Sequence, residues 1–144
     1  MKSIIVIPAR YDSTRFPGKP LAVIKGRTML ERTWLIARAA GADRVIVATD
    51  DDRIETACAG FQADVVRTSK DCANGTERVH QALHKLTTQS DVVLNFQGDA
   101  VLTPPWVLTA LLDVMQNDDS VEMATPAVRI SLEQYNELKS QKDT

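Results

Sequence analysis

Short runs of apolar and β-branched residues alternate along the chain with stretches whose apolar residues recur every three or four positions. Runs of the first kind predict strands, and those at residues 3–7 and 44–49 have the composition of strands buried on both faces. We expect five of them, at residues 3–7, 44–49, 63–68, 91–96 and 122–128. Stretches of the second kind predict helices. We expect these at residues 28–41, 50–60, 76–86, 104–116 and 132–139.

Local signals mark several of the predicted helix starts. Thr28 and Glu31 have the spacing of a capping box, Asp50 is placed to cap the second helix, and residues 104–105 (Pro-Pro) suit the first turn of the fourth. Because strands and helices alternate, right-handed βαβ crossovers should connect them. The sequence therefore predicts an α/β, doubly wound architecture, in which a mostly parallel sheet forms the middle of three layers.

A polar loop at residues 8–21 follows the first predicted strand. It holds three cations within ten residues, Arg10, Arg15 and Lys19, against one anion, Asp12. Three prolines and a glycine exclude a continuous helix and restrain the backbone. A restrained cationic loop at the carboxyl end of a buried strand predicts an anion-binding site. A solvated surface loop is the alternative.

Composition narrows the classes of function. The 144 residues are 44% hydrophobic and 25% charged, and the net charge of −2 makes the basic loop a local feature. Nucleic-acid binding is not expected, since no basic face accompanies the loop. Cys58 and Cys72 have neither metal-ligand nor redox spacing, which favours a reducing compartment. No stretch has the form of a membrane span or a signal peptide, so we expect a cytoplasmic protein without membrane contact.

Polar turns follow four of the predicted strands, and in a parallel sheet these turns meet at one edge. After the basic loop come the carboxylates at residues 50–52, the turn at residues 69–78, and residues 97–99 (Gln-Gly-Asp). Cations for phosphate and a carboxylate for Mg²⁺ are the groups needed for chemistry on a nucleoside triphosphate. We expect Asp99 to be the metal ligand.

Other candidate motifs have plainer interpretations. Residues 50–52 have the form of a DxD metal motif, but charge at a helix start is favoured. Residues 74–75 (Asn-Gly) fit a simple turn before a helix. His80 and His84 have the i, i+4 spacing of a zinc pair without its glutamate or a third ligand, so we expect surface histidines. Walker and GxGxxG motifs are absent, which argues against P-loop NTPases and NAD(P) enzymes.

The segment IPARYDSTRFPGKPL at residues 7–21 strongly resembles the N-terminal signature of 3-deoxy-manno-octulosonate (Kdo) cytidylyltransferases, which make CMP-Kdo for lipopolysaccharide. Four later segments resemble blocks of this family in the same order. They are VATDDDRI at 47–54, NGTERV at 74–79, NFQGD at 95–99 and MATPAV at 123–128. Acylneuraminate cytidylyltransferases have a related loop that ends differently and lacks the tyrosine. The resemblance implies a Rossmann-like nucleotidyltransferase fold of the nucleotide-sugar transferase type.

The resemblance also implies a reaction. The anomeric hydroxyl of Kdo attacks the α-phosphate of CTP, which gives CMP-Kdo and pyrophosphate. Catalytic roles fall to Arg10 and Lys19, a Mg²⁺-ligand role to Asp99, and a place towards the sugar or ribose to Gln97. The implied nucleotide-binding residues are Pro8, Ala9, Arg10, Arg15, Lys19, Asn74, Gly75, Thr76, Arg78 and Gln97. The full-length family form is expected to be a homodimer.

Two positions depart from the family pattern. Asn74 stands where serine is usual, and Ala100 stands where an acidic residue commonly supports the metal. The resemblance covers only the N-terminal part of the family domain. Most of the sugar pocket, the dimer contacts and a second metal-binding aspartate, in a VDTPED-like block, belong to the later part. We therefore interpret residues 1–144 as the nucleotide-binding part of a cytidylyltransferase domain.

Three functions stay open on the sequence. The first is CTP-dependent transfer of CMP to Kdo, the second is a truncated non-catalytic nucleotide-binding module, and the third is transfer to another sugar acid, such as an acylneuraminate. Residues 140–144 are polar and follow no closing strand, which fits a natural short protein or a fragment. If part of the domain is missing, exposed apolar surface should promote self-association.

Overall fold

The computed structural model describes residues 1–87 and 89–141. The strands are β1 (Ser3–Pro8), β2 (Val23–Ile24), β3 (Arg27–Thr28), β4 (Arg44–Thr49), β5 (Asp64–Arg67) and β6 (Val92–Asn95). The helices are α1 (Met29–Ala39), α2 (Asp52–Gly60), α3 (Gly75–Lys85), α4 (Pro105–Asn117) and α5 (Leu132–Ser140). A 3₁₀ turn at Lys19–Leu21 ends the basic loop.

The main sheet has the order β5–β4–β1–β6, and all of its strand pairs are parallel. Ile5 on the central strand β1 is level with Val45 on β4 and Leu94 on β6. From β1 the chain builds towards β4 and β5 and then crosses to β6. The strand order therefore reverses between β1 and β6, which is where open α/β sheets bind ligands.

The two central strands, β1 and β4, are covered on both faces, whereas β6 buries Val92 and Leu94 on one face and exposes Val93 and Asn95 on the other. On one face, side chains of β1 and β4 pack with helices α1, α2 and α4, through residues that include Leu30, Ile54 and Leu108. On the other face, β1 and β4 pack against α3 through Val79 and Ala82. The prediction of a doubly wound parallel sheet in three layers is confirmed.

Two of the predicted helix starts need correction. Thr28 caps α1 by accepting a hydrogen bond from the Glu31 amide at 3.1 Å, but the Glu31 carboxylate contacts Arg27 at 3.4 Å, so only half of the capping box forms. Asp51 caps α2, because its carboxylate accepts from the Arg53 amide at 2.8 Å. The prediction that Asp50 caps this helix is wrong. The Asp50 carboxylate instead contacts Arg78 of α3, which covers the opposite face of the sheet.

The predicted fifth strand at residues 122–128 is also wrong, since this segment has no regular secondary structure. A strand is defined by its ladder of hydrogen bonds with a neighbour, and apolar side chains alone do not supply one. Pro126 has no amide hydrogen to offer, and most of the segment is exposed. The predicted last helix is confirmed as α5, all of whose residues are exposed.

The polar chain end predicted at residues 140–144 falls partly outside the described residues, which stop at Gln141. Within the described part, no helix is long and apolar enough to cross a membrane.

Candidate functional site

The loop after β1 and the turn after β6 meet at the point where the strand order reverses. Lys19 and Asp99 make the contact: the Lys19 Nζ atom donates to Asp99 Oδ2 at 2.8 Å, across 80 positions of sequence. This hydrogen bond from Lys19 holds the pKa of the Asp99 carboxyl below its usual range. A predicted phosphate ligand and the predicted metal ligand therefore lie side by side.

A cleft of about 520 Å³ opens beside this pair. Its walls carry all three loop cations, the amide of Gln97 and the carboxylate of Asp99. Arg10 and Arg15 are exposed, and neither has an ion-pair partner in residues 1–87 or 89–141. The predicted cation cluster is thus formed, with two guanidinium groups free to meet an anion.

A smaller pocket of about 110 Å³ lies between the end of β1 and the start of α3. It is lined by Pro8, Ala9, Arg10, Cys72, Asn74, Gly75, Arg78 and Gln97. A Cβ atom on Gly75 would stand 3.1 Å from Gln97 Oε1 and 3.2 Å from Pro8 Cγ, so a larger residue here would require these side chains to shift by a few tenths of an ångström. The close approach brings the amino end of α3 to the edge of the site.

Seven of the ten residues predicted around the nucleotide line this pocket, Arg15 and Lys19 line the larger cleft, and Thr76 lines neither. The Thr76 hydroxyl accepts a hydrogen bond from Asn95 Nδ2 at 3.4 Å and lines a different cavity, beside β6. Gln97 is oriented by donating to Asn95 Oδ1 at 3.0 Å. Asn74 caps α3, because its Oδ1 accepts from the Glu77 amide at 2.9 Å. The cap uses the side-chain oxygen and leaves the Asn74 amide group for other partners.

Arg78 is held firmly at the base of the pocket. Its side chain is 3% exposed, and its Nη1 lies 2.8 Å from Asp50 Oδ1 and donates to Thr68 Oγ1. Sequence reasoning missed Asp50 as this counter-ion. The available signal was that a buried arginine needs a carboxylate, and a carboxylate directly follows β4. Cys72, which also lines the pocket, was missed as well.

The helix-start role favoured for the acidic run at residues 50–52 is found at Asp51, which caps α2, and at Asp52, in the first turn of that helix. Each carboxylate has a different cation: Arg78 for Asp50, Arg53 for Asp51, and Arg67, at 3.0 Å, for Asp52. The hydrogen bond from Arg53 lowers the pKa of Asp51 to about 2.

The histidine pair also behaves as predicted. His80 and His84 are exposed, and their Nε2 atoms lie 3.0 Å apart. The described residues contain no group of three metal-ligating side chains, here or elsewhere.

Comparison with known proteins identifies relatives of this chain. A family model for cytidylyltransferases matches residues 4–143. A 3-deoxy-manno-octulosonate cytidylyltransferase from Maricaulis maris is 50% identical over 143 residues, which are 99% of this chain and 55% of that protein. A mitochondrial enzyme of the same name from Arabidopsis thaliana is 49% identical over 112 residues, which are 77% of this chain and 39% of that protein.

The fold leads to the same family. A solved CMP:2-keto-3-deoxy-manno-octonic acid synthetase in complex with CTP superposes with a TM-score of 0.79 at 39% identity. The match covers 84% of this chain and 50% of that structure. The chain thus has the Rossmann-like nucleotidyltransferase fold, and it spans about half the length of the curated relatives it matches.

Proposed function

The chain belongs to the cytidylyltransferase family, and from that premise we propose that residues 1–144 form the nucleotide-binding part of an enzyme that transfers CMP from CTP to the anomeric hydroxyl of Kdo. CMP-Kdo and pyrophosphate are the products. The observation that carries the proposal is the contact between Lys19 and Asp99, which places the cationic loop and a carboxylate in one cleft at the reversal of strand order.

The loop cations bind the triphosphate in this proposal. Arg10 and Lys19 are the catalytic residues: they neutralise the charge that develops on the phosphates as the sugar hydroxyl attacks and pyrophosphate leaves. Arg15 extends the same charged wall of the cleft. Since phosphoryl-type transfer requires little covalent work from the protein, positioning and charge neutralisation account for most of the catalysis.

The smaller pocket accommodates the cytidine. Asn74, Gly75, Arg78 and Gln97 surround it with amide and guanidinium groups that suit the polar edge of a pyrimidine. Pro8 and Ala9 supply backbone at the junction between this pocket and the phosphate cleft. A nucleotide-binding role for Thr76 stays a prediction.

A divalent cation fits the donor set. Mg²⁺ is commonly bound through one or two carboxylates together with substrate phosphates, and Asp99 offers a half-exposed carboxylate beside the phosphate cleft. When bound, the metal supplies charge stabilisation to the phosphates. Lys19 holds the Asp99 carboxylate beside the phosphate cleft. When the nucleotide binds, Lys19 contacts a phosphate in place of this carboxylate.

Kdo is the proposed acceptor because the matched relatives are named Kdo cytidylyltransferases. The homodimer and the cytoplasmic location of the full-length form stay predictions. A first test is thermal denaturation of the chain with CTP, UTP or ATP, each with Mg²⁺. CTP should raise the melting temperature most, and equal shifts with all three would contradict the cytidine pocket.

The second test concerns the metal ligand and turnover. Asp99→Asn should abolish the Mg²⁺ dependence of CTP binding, whereas Asp113→Asn, an exposed carboxylate on α4, should leave it unchanged. Pyrophosphate release from CTP and Kdo, assayed with the intact gene product, separates an enzyme from a non-catalytic binding module. A chain that binds CTP but releases no pyrophosphate would support the non-catalytic binding module. Pyrophosphate release with an acylneuraminate instead of Kdo would make the acylneuraminate the acceptor.

A further inference from the structure

The ring of Tyr11 contacts Gly18 at the far end of the cationic loop. A Cβ atom on Gly18 would come within 2.9 Å of the ring's Cζ and Oη atoms, and its φ of 73° is a conformation that favours glycine. The Gly18 amide also donates to the carbonyl oxygen of Tyr11 at 2.8 Å. These contacts tie together the two ends of residues 11–18, the segment that carries Arg15.

Arg53 of α2 is a second neighbour of the same ring. Its guanidinium carbon lies 3.3 Å from the centroid of Tyr11. Asp51 fixes the guanidinium plane, since Arg53 Nε donates to Asp51 Oδ1 at 2.9 Å and Nη2 donates to Oδ2 at 2.7 Å. A bidentate fork of this kind leaves the guanidinium little freedom to rotate away from the ring.

Asp51 connects the stack to the body of the protein. Its carboxylate caps α2, and α2 is anchored on the sheet through the buried side chains of Ile54 and Cys58. Capping requires only the carboxylate. Capping does not require the Arg53 guanidinium to lie over Tyr11, so this placement adds a separate contact between α2 and the loop.

We propose that Asp51, Arg53 and Tyr11 form a brace that holds the cationic loop in its nucleotide-binding shape before the nucleotide arrives. The inference rests on the proposed function and deepens it: Asp51 and Arg53 are positioning residues for nucleotide binding. The three cations of the loop repel one another, so an unbraced loop separates them. A triphosphate then has to gather them again, which weakens its binding.

Hydrogen exchange of the Gly18 amide in the nucleotide-free chain tests the brace itself. Arg53→Ala should accelerate this exchange about tenfold, because the loop opens more often. Arg53→Lys should accelerate it less, since lysine keeps the charge without the planar fork. Arg38→Ala is the matched control, because Arg38 lies 5.6 Å over the ring of Trp34 on α1 and, within residues 1–87 and 89–141, forms no ion pair with the loop. It should leave Gly18 exchange unchanged.

Calorimetric titration with CTP and Mg²⁺ tests the link to binding. Arg53→Ala should weaken CTP about fivefold, Arg53→Lys should fall between it and the wild type, and Arg38→Ala should match the wild type. Unchanged Gly18 exchange in Arg53→Ala overturns the brace. Faster exchange with wild-type CTP affinity overturns its role in binding. If the wild-type chain binds no CTP, the proposed function fails, and the exchange data alone decide whether the brace exists.

Discussion

The strand order reverses between β1 and β6, and the two sides of this point differ in whether their side chains have partners. On the β1 side, the cationic loop is tied to α2 and to the end of β6 by named contacts. On the other side lies the α4 flank, which we define as residues 100–117 together with residues 122–130. There Leu102 is 92% exposed, Trp106 69% and Met123 86%. Part of the flank surrounds an open apolar groove of about 730 Å³.

The β1 side holds its polar groups in contacts, whereas the α4 flank leaves apolar side chains exposed. The β1 side places its buried charges in pairs, as low-dielectric surroundings require. The α4 flank exposes large apolar side chains next to one another, which is typical of an interaction surface. We therefore expect mutations on the β1 side to change stability and ligand binding, and mutations on the α4 flank to change self-association.

The largest effect should come from the buried ion pair on the β1 side. Asp50→Ala leaves the guanidinium of Arg78, 3% exposed, without its counter-ion. We expect a loss of about 3 kcal/mol in the free energy of unfolding, measured by urea denaturation, because an uncompensated buried charge is costly. The double variant Asp50→Leu/Arg78→Met should recover most of the loss. A loss below about 1 kcal/mol in the single variant would contradict the importance of this pair.

The next effect concerns the contact that defines the site. Lys19→Met should weaken CTP binding about tenfold, because a charge-assisted hydrogen bond to phosphate is lost. It should also raise the pKa of Asp99 towards its ordinary value, since the Lys19 hydrogen bond is the main cause of the lowered pKa. Calorimetry and an NMR titration of the Asp99 carboxyl measure the two effects. Lys139→Met, on exposed α5, is the control and should change neither.

A smaller effect should appear as a pH dependence at the start of α2. The pKa of Asp51 is lowered to about 2 in the folded chain by the hydrogen bond from Arg53. Its contribution to stability is therefore complete above the unfolded pKa near 4 and is lost as the pH falls towards 2. Asp51→Asn keeps a capping oxygen and should cost about 1 kcal/mol at pH 7. The gap between variant and wild type should narrow steeply below pH 4 and close only below pH 2, as measured by unfolding at several pH values. A gap independent of pH would contradict the charge pair.

The sequence predicted the elements whose signals are local. The apolar runs of β1 and β4 are buried on both faces, so their pattern alone identifies them. The cations of the loop and Asp99 follow strands that share one edge, so topology brings Lys19 and Asp99 together. The nucleotide-binding and catalytic roles of these residues stay predictions, which the binding experiments above test.

Contacts between distant segments were not predictable in the same way. The sequence indicates a cap at Asp50 because it does not show that the Arg78 guanidinium lies 2.8 Å from the Asp50 carboxylate. Nothing in the pattern around Arg53 indicates that it stacks on Tyr11, 42 positions earlier in the sequence. The strand expected at residues 122–128 failed for a related reason, since a strand requires a partner that the apolar pattern does not reveal. That failure lies on the α4 flank, where apolar residues are exposed.

The smallest effect on stability should come from the α4 flank itself. Trp106→Ser removes a side chain that is 69% exposed and should change the free energy of unfolding by less than about 0.5 kcal/mol. The variant should nevertheless associate less in sedimentation velocity runs, because it removes the largest side chain of the apolar groove. Leu108→Ala, on the same helix but 2% exposed, should lower the free energy of unfolding by at least about 2 kcal/mol, the lower end of the range for a buried leucine. If Trp106→Ser destabilised the fold as much as Leu108→Ala does, Trp106 would be packed in solution and the contrast between the two sides would fail.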